Sequence, residues 1–95
     1  MAGKKPAFWV SMTDSFLSGW GPAEGKINKL IFPCETREEA EIVSENARAR
    51  SDMQYVYICI HKPWYNAMDY LVSQHDKTDY DSFYIKGAFA QGAEQ

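Results

Sequence analysis

Three glycines and a lysine crowd into residues 19–26 of the stretch SGWGPAEGK, a composition that suits a loop cradling phosphate on backbone N–H groups. A P-loop also needs a glycine five positions before its last one and a hydroxyl directly after the lysine. Trp20 and Ile27 hold those places, so both the turn and the magnesium ligand are missing. A dinucleotide fingerprint fails too, because Glu24 stands where its third glycine belongs and a strand pattern follows instead of a helix. Gly19, Gly21 and Gly25 are instead expected to supply positive φ, and Pro22 to fix a turn. Turn formation leaves Phe16, Leu17 and Trp20 unexplained. Side chains of that size either fold back to cap the core or anchor in a partner, and tryptophan is favoured at interface hot spots.

Acid–base and nucleophilic chemistry has few carriers. His61 and His75 are the only imidazoles, and although His75 adjoins Asp76, neighbours on an extended chain point to opposite faces and need not form a dyad. Ser11, Thr13 and Asp14 sit at a strand end beside the glycine-rich loop with no general base fixed next to them. Cys34 and Cys59 fall in separate strands and read as reduced thiols, not as a disulfide or a metal pair. No catalytic residue, metal ligand or cofactor is assigned on these grounds, and a small enzyme of unknown class ranks last among the readings.

Binding has more to work with. Trp9, Lys29, Ile31, Tyr55 and Tyr57 alternate onto one sheet face, where aromatic rings can stack bases while Lys26 and Lys29 meet phosphate. The same rings also suit cross-strand pairs or the seam of a homodimer. A net charge of -3 and an isoelectric point near 5.3 oppose non-specific attraction to nucleic acid, which ranks that partner below protein. Glu38, Glu39, Glu41 and Glu45 line a helix. They either compete for a basic channel on another protein or form a solvated face offset by Arg37 and Arg48.

These residues need a scaffold, and the alternation of apolar side chains supplies one. Strands are expected at residues 7–13 (AFWVSMT), 28–35 (NKLIFPCE, either an edge or ending at Pro33, which lacks an N–H), 53–60 (MQYVYICI) and 70–74 (YLVSQ). Thr36 followed by Glu39 is a capping box in which the carboxylate should reach back to the Thr36 amide. It opens a helix whose stripe of Ala40, Val43 and Ala47 is thin enough to lie close on a sheet. Phe8, Val10, Met12, Leu30, Phe32, Val56, Ile58 and Ile60 should face that helix. Residues 76–85 should hold one helical turn capped by Thr78 or Asp76, with Phe83 and Tyr84 inward. With 45% hydrophobic residues and no apolar run near the about 20 residues that span a bilayer, one α+β domain without a membrane segment is expected. Its ordered core should cover about 7–89, before a disordered tail.

At FWVSMTDSFLSGWG, GKINKL and EEAEIVSENARARSDMQYV the chain resembles small proteins encoded by bacteriophages and prophages, over most of its length. The resemblance brings no catalytic residue with it. It implies a protein of the host cytoplasm, in infected or lysogenic bacteria, that binds host or phage macromolecules. Some such proteins inhibit host defences such as CRISPR systems. The expectation is a non-enzymatic binding protein of this anti-defence kind, using Phe16, Gly19, Trp20, Gly21, Gly25 and Lys26 on the loop together with Trp9, Lys29, Tyr55 and Tyr57. The alternative is a single-stranded nucleic-acid or nucleotide-binding module built on the sheet face.

Overall fold

The computed structural model describes residues 5–16 and 18–89; Leu17, Lys4 and the tail expected to be disordered lie outside the described residues. The elements in chain order are β1 (Phe8–Asp14), β2 (Ile27–Cys34), α1 (Arg37–Arg48), β3 (Met53–Cys59) and β4 (Tyr70–Gln74). Two short 3-10 turns, Gly21–Ala23 and Asp81–Tyr84, complete them. The α+β expectation holds: one helix packs on a mixed four-stranded sheet of order β3-β1-β2-β4. β1 runs antiparallel to both β2 and β3, and β4 is parallel to β2.

The helix starts where its capping residues dictate. Thr36 Oγ1 accepts from the Glu39 N–H at 3.1 Å, and the Glu39 carboxylate accepts from the Glu35 N–H at 2.9 Å, one residue earlier than the Thr36 amide expected. The same carboxylate meets Lys77 Nζ at 2.6 Å, so this part of the acidic helix face is already paired. Ala40, Val43 and Ala47 are fully buried against Val10, Met12, Leu30 and Phe32.

A helix about 10 Å across covers only two strands spaced about 4.8 Å apart, which leaves half of this sheet bare. The C-terminal segment covers the rest. Phe83 stacks on Phe32 with ring centres 4.7 Å apart, and the Tyr84 hydroxyl donates to the Pro33 carbonyl at 2.8 Å, so both side chains turn inward as expected. Asn46, buried on α1, clamps this segment by donating to the carbonyls of Phe83 at 2.9 Å and Ile85 at 2.7 Å. The 3-10 turn has no side-chain cap. Asp76 instead accepts from the Thr78 N–H at 2.8 Å, fixing the turn before it.

Three expectations need correction. Strict alternation puts Met53 on the face opposite Val56, yet both are buried in the core, because the β1–β3 register shifts between Ser11 and Thr13 and Tyr55 takes φ 53°. This bulge adds one residue to β3 and resets its faces. Ile60 lies past the end of β3 and is exposed, not core. β2 is an interior strand, and it tolerates Pro33 because β4 pairs only as far as Ile31.

The connections decide which face remains open. β2, β3 and β4 all point the same way, so β2→α1→β3 and β3→β4 are both parallel crossovers, made in opposite directions across the sheet. Keeping one hand for both requires them to pass on opposite faces. The chain obeys: residues 60–69 cross the face away from the helix, where the Tyr65 hydroxyl meets Ser11 Oγ at 2.5 Å. Ile31 is buried beneath this strap.

Candidate functional site

The glycine-rich loop is a closed structure rather than a cradle. The Gly19 N–H donates to the carbonyls of Ala23 at 3.2 Å and Lys26 at 3.0 Å, Ala23 to Trp20 at 2.9 Å, Glu24 to Gly21 at 3.0 Å and Lys26 to Ala23 at 2.8 Å. These donors are spent within the loop and are not aimed at a phosphate. Gly19, Gly21 and Gly25 all take positive φ, as expected from their type, and Pro22 opens the 3-10 turn. Ser18 nails the loop to the sheet, its Oγ donating to the Asp14 carbonyl at 2.8 Å while accepting from the Asn28 N–H at 2.9 Å. Ala23 is buried underneath.

On this fixed frame Phe16 is 74% and Trp20 71% exposed, so Trp20 does not fold back to cap the core. Phe16 overhangs a cavity of about 500 Å³ that also takes in Arg50, Asp52, Asp79 and Asp81. Lys26, half-buried, stays at the base of the loop.

The opposite sheet face is not an open platform. The strap covers its centre and leaves a cleft of about 540 Å³ across β3, β1, β2 and β4, lined by Thr13, Lys29, Tyr55, Tyr57 and Tyr70 with Ser15, Ser18 and Ile27 at its edge. Lys29, expected as an exposed charge on this sheet face, is buried to 8% exposure. Its ammonium lies 5.1 Å from the Tyr65 ring centre and 6.0 Å from that of Tyr55. Burial pushes Lys29 below the ordinary lysine range, against a smaller opposing pull from Cys59. No carboxylate pairs with it among the described residues. Thr13, 6% exposed, likewise has no hydrogen-bond partner for its Oγ1 among the described residues. A buried donor left unmade costs about 1–3 kcal/mol. Trp9 is half-buried and lines none of the four principal cavities.

Comparison with protein-family models, curated proteins and solved structures finds no match to this chain. The reading of its sites therefore rests on its own geometry.

Of the expected residues, the structure brings Lys29, Tyr55 and Tyr57 into one cleft, and Gly19, Trp20, Gly21, Gly25 and Lys26 into one loop. Tyr65 and Tyr70 were not foreseen, and Thr13 was singled out only as a hydroxyl beside the loop that lacked a general base. The signal for Thr13 was present, since Ser11 and Thr13 alternate with Val10 and Met12 and mark a polar stripe on an apolar sheet. Tyr65 carries no periodic signal at all. Trp64, its neighbour in the strap, is 82% exposed.

His75 forms a dyad after all, though with a different partner from Asp76. Its Nδ1 meets Asp79 Oδ2 at 2.7 Å and its Nε2 meets Ser73 Oγ at 3.0 Å. The His75 bond holds the Asp79 carboxyl below its usual range. The connectivity is that of a nucleophile relay, but Ser73 and His75 line none of the four principal cavities, and Tyr80 lies flat on the imidazole at 4.3 Å. The arrangement ties the end of β4 to the turn that follows. Cys34 and Cys59 are free thiols, and no group of His, Cys, Asp and Glu able to hold a metal occurs among the described residues. No helix among them is long and apolar enough to cross a membrane.

Proposed function

We propose that this chain is a non-enzymatic binding protein that acts through protein–protein contacts made by its glycine-rich loop. The observation that carries this reading is the exposure of Trp20 and Phe16 on a backbone fixed by its own hydrogen bonds. Exposed aromatic side chains of this size are costly in water, and a loop ordered in advance loses little entropy on docking, which is the economy that tight binding surfaces use. Trp20 is the anchor, Gly19, Gly21 and Gly25 set the shape of the loop, and Lys26 adds complementary charge at its base. The carboxylates around Phe16 favour a partner whose apolar pocket is rimmed by basic groups.

The resemblance to phage-encoded proteins points to a host or phage protein as that partner, and inhibition of a host defence complex is the most concrete form of the proposal. Affinity capture from infected-cell lysate with wild type and Trp20→Ala in parallel, followed by reconstitution with the purified candidate, tests it. A partner bound by wild type and lost with Trp20→Ala supports the loop as the site. Equal capture by a folded Trp20→Ala variant removes it.

A further inference from the structure

We propose that the cleft across β3, β1, β2 and β4 is a binding site for a small molecule that carries an oxyanion, carboxylate or phosphate, on a flat apolar body. Ser18, at the foot of the Trp20 loop, lies on the rim of the cleft, but the site uses neither Trp20 nor Phe16 and does not depend on the loop's reading.

The first ground is a surplus of donors. Lys29 and Thr13 both line the cleft and both are more than nine-tenths buried; Thr13 Oγ1 has no hydrogen-bond partner and the Lys29 ammonium no carboxylate among the described residues. Lysine ordinarily runs its stem along apolar surface and keeps its ammonium in water. Here the ammonium is held between the rings of Tyr65 and Tyr55, whose faces stabilise the charge but offer no lone pair in return. No carboxylate lines the cleft, so its field is that of one unpaired cation. An oxyanion supplies what both groups lack.

The second ground is shape. Tyr55, Tyr57 and Tyr70 present rings around the cleft, and a volume of about 540 Å³ suits a molecule of one or two rings. Tyr55 reaches its place only through the bulge, at φ 53°, a conformation that costs energy for a residue with a side chain and that persists because the surrounding sheet fixes it. The strap at residues 60–69 crosses the same face, so an extended nucleic-acid strand has no straight path across it. A single ring bearing one anionic group fits the opening that the strap leaves.

Titration of the full chain with uridine 5′-monophosphate, 4-hydroxybenzoate, uridine and inorganic phosphate, followed by amide chemical shifts and tyrosine fluorescence, tests the proposal. At least one ring-bearing anion is expected to bind, with shifts centred on Thr13, Lys29, Tyr55, Tyr57 and Tyr70. Uridine and inorganic phosphate should bind at least about tenfold more weakly than that anion. Which anion binds identifies phosphate or carboxylate as the group preferred. Lys29→Met and Thr13→Val should each weaken binding at least about tenfold, and Thr13→Val should also raise the thermal midpoint, because it removes a buried hydroxyl that lacks a partner. A residue with a merely structural role would lower the midpoint instead. If Lys29→Met does not fold, Thr13→Val carries the same test. The proposal is overturned if neither anion binds at millimolar concentration, if the shifts map elsewhere, if uridine binds as well as its phosphate, or if the variants leave affinity unchanged.

Discussion

The ammonium of Lys29 lies 5.1 Å from the ring centre of Tyr65, a residue the chain reaches only after completing α1 and β3. The contact joins the sheet to the strap that crosses it. It also buries a cation beside a thiol, because Lys29 exerts a pull on Cys59.

That pull is measurable. Burial pushes both thiols up, Cys34 to about 12, and Lys29 alone opposes the rise at Cys59. At about pH 8 a thiol labels in proportion to its thiolate fraction. Lys29→Met should therefore slow labelling of Cys59, while Cys34 stays unlabelled in the native protein of both forms. An unchanged Cys59 rate in the variant would show that the two groups are not coupled.

Trp20→Ala and Phe16→Ala should each leave the unfolding free energy from denaturant titration within about 0.5 kcal/mol of wild type, since neither side chain contributes to the core. Gly25→Ala should cost about 1–2 kcal/mol, although nothing lies within 4 Å of the added carbon, because φ 75° penalises any side chain. A large loss with Trp20→Ala would return that residue to the core and remove the proposed anchor.

Acid should weaken the corner below α1. Arg50 donates to both oxygens of Asp52, at 3.0 and 2.8 Å, and this bond chiefly holds the Asp52 carboxyl below the ordinary carboxylate range. A carboxyl depressed in the folded state contributes stability that is present above its unfolded value of about 3.9 and is lost as pH falls through the lower folded value. Asp52→Asn should thus lower the midpoint at neutral pH, and its gap to wild type should close below about pH 4. A gap independent of pH would assign the effect to packing.

Two buried polar residues of α1 should respond with opposite signs. Asn46→Ala strands the carbonyl of Phe83 and leaves that of Ile85 with the Ala88 N–H alone, and should cost about 1–3 kcal/mol. Ser44 Oγ has no partner among the described residues, so Ser44→Ala should gain about 1 kcal/mol from lost desolvation and better helix propensity. Thermal or urea unfolding of the two variants decides both.

The helix and the four strands were legible because each carries a periodic signal, and the Thr36 cap and the ends of β4 lie where the residues put them. The faces of β3 were not, because a bulge at Tyr55 leaves Met53 and Val56 three apart on one side, and no residue type announces that slip. The cleft was half legible. Lys29, Tyr55 and Tyr57 follow from alternation, whereas Tyr70 joins them and Tyr65 reaches Lys29 only through the crossing of the strap, which is a property of topology. Burial of Lys29 follows from the same crossing and could not be read from the charge of the residue.

The route of the chain has one more consequence. A nascent chain that has left the ribosome only as far as Cys59 owns three strands and the helix, with Ile31 and Lys29 bare to water on the back of the sheet and Phe32 half uncovered on the front. The strap, β4 and the turn that carries Phe83 follow as one continuous stretch. A premature stop soon after β3 would remove the back cover, the cleft and half of the core lid together, so such products should enter degradation as a class rather than accumulate as partly working forms.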